Sequence, residues 1–133
     1  MKKMFIIWLP LVMFFVSLFL GLLCCVLYDI DEELKEIFVQ INITILGFAI
    51  TAFSIIIGFM KENEQIKMVM AKGHLKRCII SIILLTITAI ISTLSVIFKD
   101  AINIIFICSL NCYFQLIFIV YFILILGYYS LKK

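Results

Sequence analysis

The chain has 133 residues, 66% of them hydrophobic and 14% charged, with one proline, five glycines and a formal net charge of +3. A soluble domain is nearer half apolar, and outside four long apolar runs the longest polar segment is only Lys61–Arg77. That excludes a self-contained enzyme domain, a nucleotide-binding fold or a nucleic-acid module within this chain, and confines any chemistry to a membrane.

The four runs, at about 4–28, 38–60, 77–98 and 104–130, each supply the roughly 20 apolar residues a helix needs to cross a hydrocarbon core about 30 Å thick. The expected fold is an all-α integral membrane four-helix bundle of helical hairpins, one transmembrane domain over residues 1–133 with a polar connection at 61–76. Charge is distributed unevenly along it. Asp29, Asp31, Glu32, Glu33, Lys35 and Glu36 sum to −4, whereas Lys61–Arg77 sums to +3 and lysine pairs stand at Lys2–Lys3 and Lys132–Lys133. Because lysine and arginine are retained on the cytoplasmic side, both termini and the 61–76 connection are expected in the cytoplasm. Lys61, Lys67, Lys72, His74, Lys76 and Arg77 are then candidate contacts for anionic lipid or for a cytoplasmic partner protein.

The first run starts with two lysines, like a signal peptide, but its apolar core exceeds the 7–15 residues typical of one, and it is read as a retained helix. Trp8 and Tyr28 fall about 30 Å apart along such a helix, at opposite headgroup levels. Pro10 lies near its start, where a missing amide donor costs least. In the acidic segment that follows, Asp29 or Asp31 can cap a helix and Glu32 and Glu33 suit its positive end.

The second run contains the clearest pattern in the sequence. Thr44, Gly47, Thr51, Ser54 and Gly58 recur at steps of three and four, so a helix gathers them into one stripe of small groups. In lipid such a stripe lets another helix backbone approach closely. With no Pro or Gly from Met60 to Lys72, the same helix is expected to run on from about Asp31 to Lys72, roughly 60 Å at 1.5 Å per residue, its overhang either a cytoplasmic handle for a partner or a solvated or interfacial connector.

In the third run Ser81, Thr88, Ser92 and Ser95 share a face, with Thr86, Ala89 and Thr93 beside it; most such hydroxyls are expected to bond back to the carbonyl four residues earlier or to a neighbouring helix. In the fourth, Cys108, Asn111, Cys112 and Gln115 share a face, and the Asn111 and Gln115 amides need partners in lipid, on the second and third helices or on another subunit. Tyr128 and Tyr129 form an aromatic belt. Three helices with polar faces suggest self-association into a homo-oligomer, a tetramer, around a seam of Thr44, Thr51, Ser54, Thr88, Ser92 and Ser95.

Absences narrow the chemistry. No Asp, Glu, Arg or His stands in the middle of a run, whereas proton-coupled transporters carry an intramembrane ionisable group, as the small multidrug resistance family does in its first helix. His74 is the only histidine, so paired-histidine haem ligation within one subunit is impossible. The cysteines are spaced Cys24-Cys25 and Cys108-x-x-x-Cys112, not as the Cys-x-x-Cys of thiol oxidoreductases, and read as apolar filler. The expectation is no catalytic residue, cofactor, metal or direct nucleic-acid contact.

The phrase Thr44-Ile-Leu-Gly-Phe-Ala-Ile-Thr-Ala-Phe-Ser-Ile, followed by a charged connection with Gly73-His74 and a Ser/Thr-rich third helix, resembles small four-helix membrane components of bacterial anti-phage systems, the Kiwa-type membrane subunits. The resemblance implies an inner-membrane oligomer that senses phage-inflicted membrane events and works with a cytoplasmic, DNA-engaging partner. The alternative is a pore-forming protein of holin-like or abortive-infection type.

Overall fold

A backbone surrounded by hydrocarbon must close its own hydrogen bonds, which long apolar runs do as helices. The computed structural model describes residues 8–98 and 101–131, apart from the side chain of Ser130, and these residues contain helices and turns with no strand. The main elements are α1 (Leu9–Leu27), α2 (Lys35–Glu62), the short α3 (Glu64–Val69), α4 (Leu75–Ser95) and α5 (Ile102–Leu131). Among the described residues four helical stretches are long and apolar enough to cross a membrane, Leu9–Leu27, Glu32–Glu62, Glu64–Ser95 and Ile102–Tyr129, as in a multi-pass membrane protein. The lysines Lys2, Lys3, Lys99, Lys132 and Lys133, and Asp100, lie outside the described residues.

Local chemistry sets the helix ends. Pro10 stands in the first turn of α1, where no intrahelical amide bond is lost. Asp31 Oδ1 accepts a hydrogen bond from Glu33 N at 3.1 Å and opens the 3-10 turn Glu32–Leu34 that leads into α2. The continuous helix expected as far as Lys72 is interrupted. Asn63 leaves the helical region (φ −132°, ψ 110°) and its Oδ1 accepts from Gln65 N at 3.0 Å and Ile66 N at 3.4 Å, capping α3. Asparagine is among the best caps because its side chain satisfies amides that the new helix leaves free. A wide turn at Met70–His74 follows, in which Gly73 adopts φ 111°, a conformation that favours glycine.

The expected projecting handle is therefore folded back. Ile66 and Met70 are buried and pack with Ile56, Cys78, Phe118, Phe122 and Leu126 in an apolar cluster that closes this end of the bundle. This is the basic end; the opposite, acidic end carries Asp29–Glu36, where Lys35 Nζ donates to Phe98 O at 2.7 Å across the α2 and α4 ends. A second cluster, Ile45, Ala49, Ala52, Leu85, Cys112 and Ile119, joins α2, α4 and α5.

α5 is the axis of the fold and packs against α1, α2 and α4. The first two helices do not form the expected hairpin: α1 lies mainly on α5 and, less extensively, on α4. The reason lies in its buried face, Pro10, Ser17 and Gly21. A Cβ added at Gly21 would stand 2.9 Å from Ile107 Cγ1 and 3.3 Å from Ile107 Cα, so only glycine permits this approach of α1 to α5.

Candidate functional site

Inside this apolar bundle lies a polar network centred on Asn111 of α5. Asn111 Oδ1 accepts from Ser17 Oγ of α1 at 3.2 Å and from Gln115 Nε2 one turn along α5 at 3.4 Å; Asn111 Nδ2 donates to Thr88 Oγ1 of α4 at 3.2 Å. Gln115 Nε2 also donates to Pro10 O at 3.2 Å, and Thr88 Oγ1 lies 3.6 Å from Cys112 Sγ. All four principal side chains are buried. One turn of α4 towards the acidic end, Asn42 Nδ2 of α2 donates to Ser92 Oγ at 2.8 Å. Every long helix thus contributes to a buried polar contact with another helix, and these contacts fix the register that interchangeable apolar surfaces leave open.

The network is not fully satisfied. The amide oxygens Asn42 Oδ1 and Gln115 Oε1 are buried acceptors without a hydrogen-bond partner, and outside the network the Ser81 hydroxyl is likewise buried and unpartnered, each at a desolvation cost of about 1–3 kcal/mol. The expected partners of Asn111 and Gln115 on the second and third helices are met only by Thr88. The contacts with α1 fall outside the expectation, although Ser17 is the only serine or threonine in the first run and stands four residues before Gly21, a small-xxx-small pair that marks close helix packing.

The hydroxyl seam divides between two sides of the protein. Thr44, Gly47, Thr51, Ser54 and Gly58 all lie on the exposed face of α2, whereas Thr88, Ser92 and Ser95 are buried within the bundle. Within one chain these two rows do not line a common passage. The buried face of α2 is instead Val39, Asn42, Ile45, Ala49, Ala52 and Ile56. Thr44 Oγ1, Thr51 Oγ1 and Ser54 Oγ donate to the carbonyls of Gln40, Gly47 and Ile50 at 2.8–3.0 Å, which leaves the stripe without free donors. Nothing stands within 4 Å of a Cβ built on Gly47 or Gly58.

At the basic end Lys61, Lys67, Lys72 and Lys76 are exposed, and Lys67 pairs with Glu64 at 3.7 Å. His74 is half-buried, with its ring 6.4 Å from that of Phe122. Arg77 departs furthest from the expected surface contact. The residue is only 8% exposed because α4 starts with this face turned onto α1 and α5, and its Nε has no hydrogen-bond partner. Among the described residues no cluster of three or more His, Cys, Asp or Glu is placed to hold a metal ion. The five cysteines are free thiols.

Comparison with known protein families, curated proteins and solved structures finds no match to this chain.

Proposed function

We propose that this chain is a non-enzymatic, multi-pass subunit of a bacterial inner membrane that assembles with copies of itself through the exposed stripe of α2. One observation carries the reading: Thr44, Gly47, Thr51, Ser54 and Gly58 form an outward face on which, beyond the helix's own local backbone, nothing in the protein stands within 4 Å of a Cβ at either glycine. A lipid-facing helix gains nothing from such a groove, whereas a partner helix gains close van der Waals contact along it. Because the hydroxyls of this face are satisfied by their own backbone, it suits dry packing better than a water-filled lumen. That favours an assembly over a pore.

The charge asymmetry supports an orientation with both termini and the 61–76 connection in the cytoplasm. The resemblance to Kiwa-type subunits adds a role as membrane sensor in an anti-phage system, with the exposed Lys61, Lys67, Lys72 and Lys76 meeting a cytoplasmic partner. Expression in bacteria loaded with a potential-sensitive dye tests the choice between sensor and pore. A sensor leaves the potential unchanged until phage challenge and co-purifies with a soluble protein; depolarisation on expression alone overturns the reading in favour of the pore.

A further inference from the structure

Arg77 is the one charged side chain among the described residues that the fold buries. Guanidinium stays protonated in proteins, and a buried charge requires an opposite charge or hydrogen-bond acceptors to offset its desolvation. No described residue forms an ion pair or hydrogen bond with it, and the carboxylates of the neighbouring connection, Glu62 and Glu64, are both exposed.

The surroundings of Arg77 indicate what is missing. It lines a groove of about 330 Å³ between α1 and α5, whose other walls are Leu9, Met13, Phe114, Ile117, Phe118 and Tyr121. The groove runs along α5 from Tyr121 to Phe114, about 10 Å towards the centre of the bundle. Ile117 on its rim is 64% exposed, so it opens to the flank of the bundle rather than to its interior. One cation at the end of an apolar trough matches an amphiphile with a negatively charged head and a hydrocarbon tail. A free phosphate would satisfy the guanidinium but leave the trough empty, and an acidic peptide would bring unsatisfied amides against its walls.

We propose that this groove binds an anionic phospholipid, the headgroup phosphate accepting charge-assisted hydrogen bonds from Arg77 and one acyl chain lying along Phe114, Ile117 and Phe118. The site requires the helices to cross a bilayer but does not depend on self-association. Arginine suits the role because its planar fork meets two phosphate oxygens at once.

Native mass spectrometry of the full chain in mild detergent, titrated with dioleoyl phosphatidylglycerol or dioleoyl phosphatidylcholine, tests this and counts subunits separately from lipids, so failure of the assembly reading and failure of the lipid site are distinguishable. The expected result is one phosphatidylglycerol retained per protomer in preference to phosphatidylcholine. Arg77→Gln should weaken that retention by about tenfold or more, as expected for loss of a charge-assisted hydrogen bond, while Lys61→Gln and Lys67→Gln retain the lipid as the wild type does. Inorganic phosphate should not displace it. Should Arg77→Gln fail to fold, Ile117→Trp fills the trough without changing charge, and it too should expel the lipid. Equal retention of the two lipids, wild-type retention by both variants, or displacement by inorganic phosphate overturns the proposal.

Discussion

Replacing Asn111 with alanine removes the hub of the buried network, and the structure sets the size of the effect. Three hydrogen bonds disappear, from Ser17 Oγ, from Gln115 Nε2 and to Thr88 Oγ1. If each partner were left bare, every orphan would cost about 1–3 kcal/mol. None is. Ser17 Oγ keeps Phe14 O at 2.8 Å, Thr88 Oγ1 keeps Leu84 O at 2.9 Å, and Gln115 Nε2 keeps Pro10 O at 3.2 Å. The two interhelical bonds, from Ser17 and to Thr88, are therefore expected near the membrane average of about 0.6 kcal/mol each, and with the long bond to Gln115 inside α5 the total loss is roughly 1–2 kcal/mol. Steric trapping in bicelles measures it on the intact chain. A double-mutant cycle with Ser17→Ala should return a coupling of about 0.6 kcal/mol and at most about 1.7. Zero coupling, with Asn111→Ala within about 0.3 kcal/mol of wild type, would refute the claim that these side chains hold α1 to α5.

Four further substitutions separate the parts of the bundle, the first three by the same unfolding measurement. Ser81→Ala removes a buried hydroxyl whose oxygen has no partner and should be neutral or stabilising by up to about 1 kcal/mol; a loss beyond that would mean the hydroxyl is bonded. Gly21→Ala forces a methyl group to within 2.9 Å of Ile107 Cγ1 and should cost about 1–3 kcal/mol by overpacking, whereas Gly47→Ala, with open space around it, should not destabilise the monomer. Gly73→Ala places a side chain at φ 111° and should cost roughly 1–3 kcal/mol, checked by the thermal midpoint of the detergent-solubilised protein.

The four long helices were legible in the sequence because continuous apolar length is the membrane signal itself. Which face of each helix turns inwards was not. In water the core side of a helix is apolar and the other side polar, but around this bundle both sides are apolar, so the spacing of Thr44, Gly47, Thr51, Ser54 and Gly58 establishes a shared face without saying what it meets. The opposite side of α2, with Ala49 and Ala52, is the one the bundle buries. Ser17 and Gly21 were overlooked for a related reason: a single hydroxyl in a greasy run makes no row, yet one hydroxyl and one glycine suffice to seat α1. Asn63 lies among residues that are all compatible with a helix, and its capping role follows from the chain turning back so that Ile66 and Met70 reach the apolar cluster. Gly73, by contrast, was readable as the first breaker, and the chain bends there.

Self-association through α2 is tested most directly by counting subunits in lipid. Single-molecule photobleaching of the fluorescently tagged full chain in liposomes, for the wild type and for Gly47→Leu and Gly58→Leu, does this without disturbing the protomer, since the space above both glycines is empty within it. The account predicts several bleaching steps for the wild type and a shift to single steps in both variants, with unchanged thermal stability of each protomer. Single steps in the wild type, or wild-type step counts in both leucine variants, would contradict it.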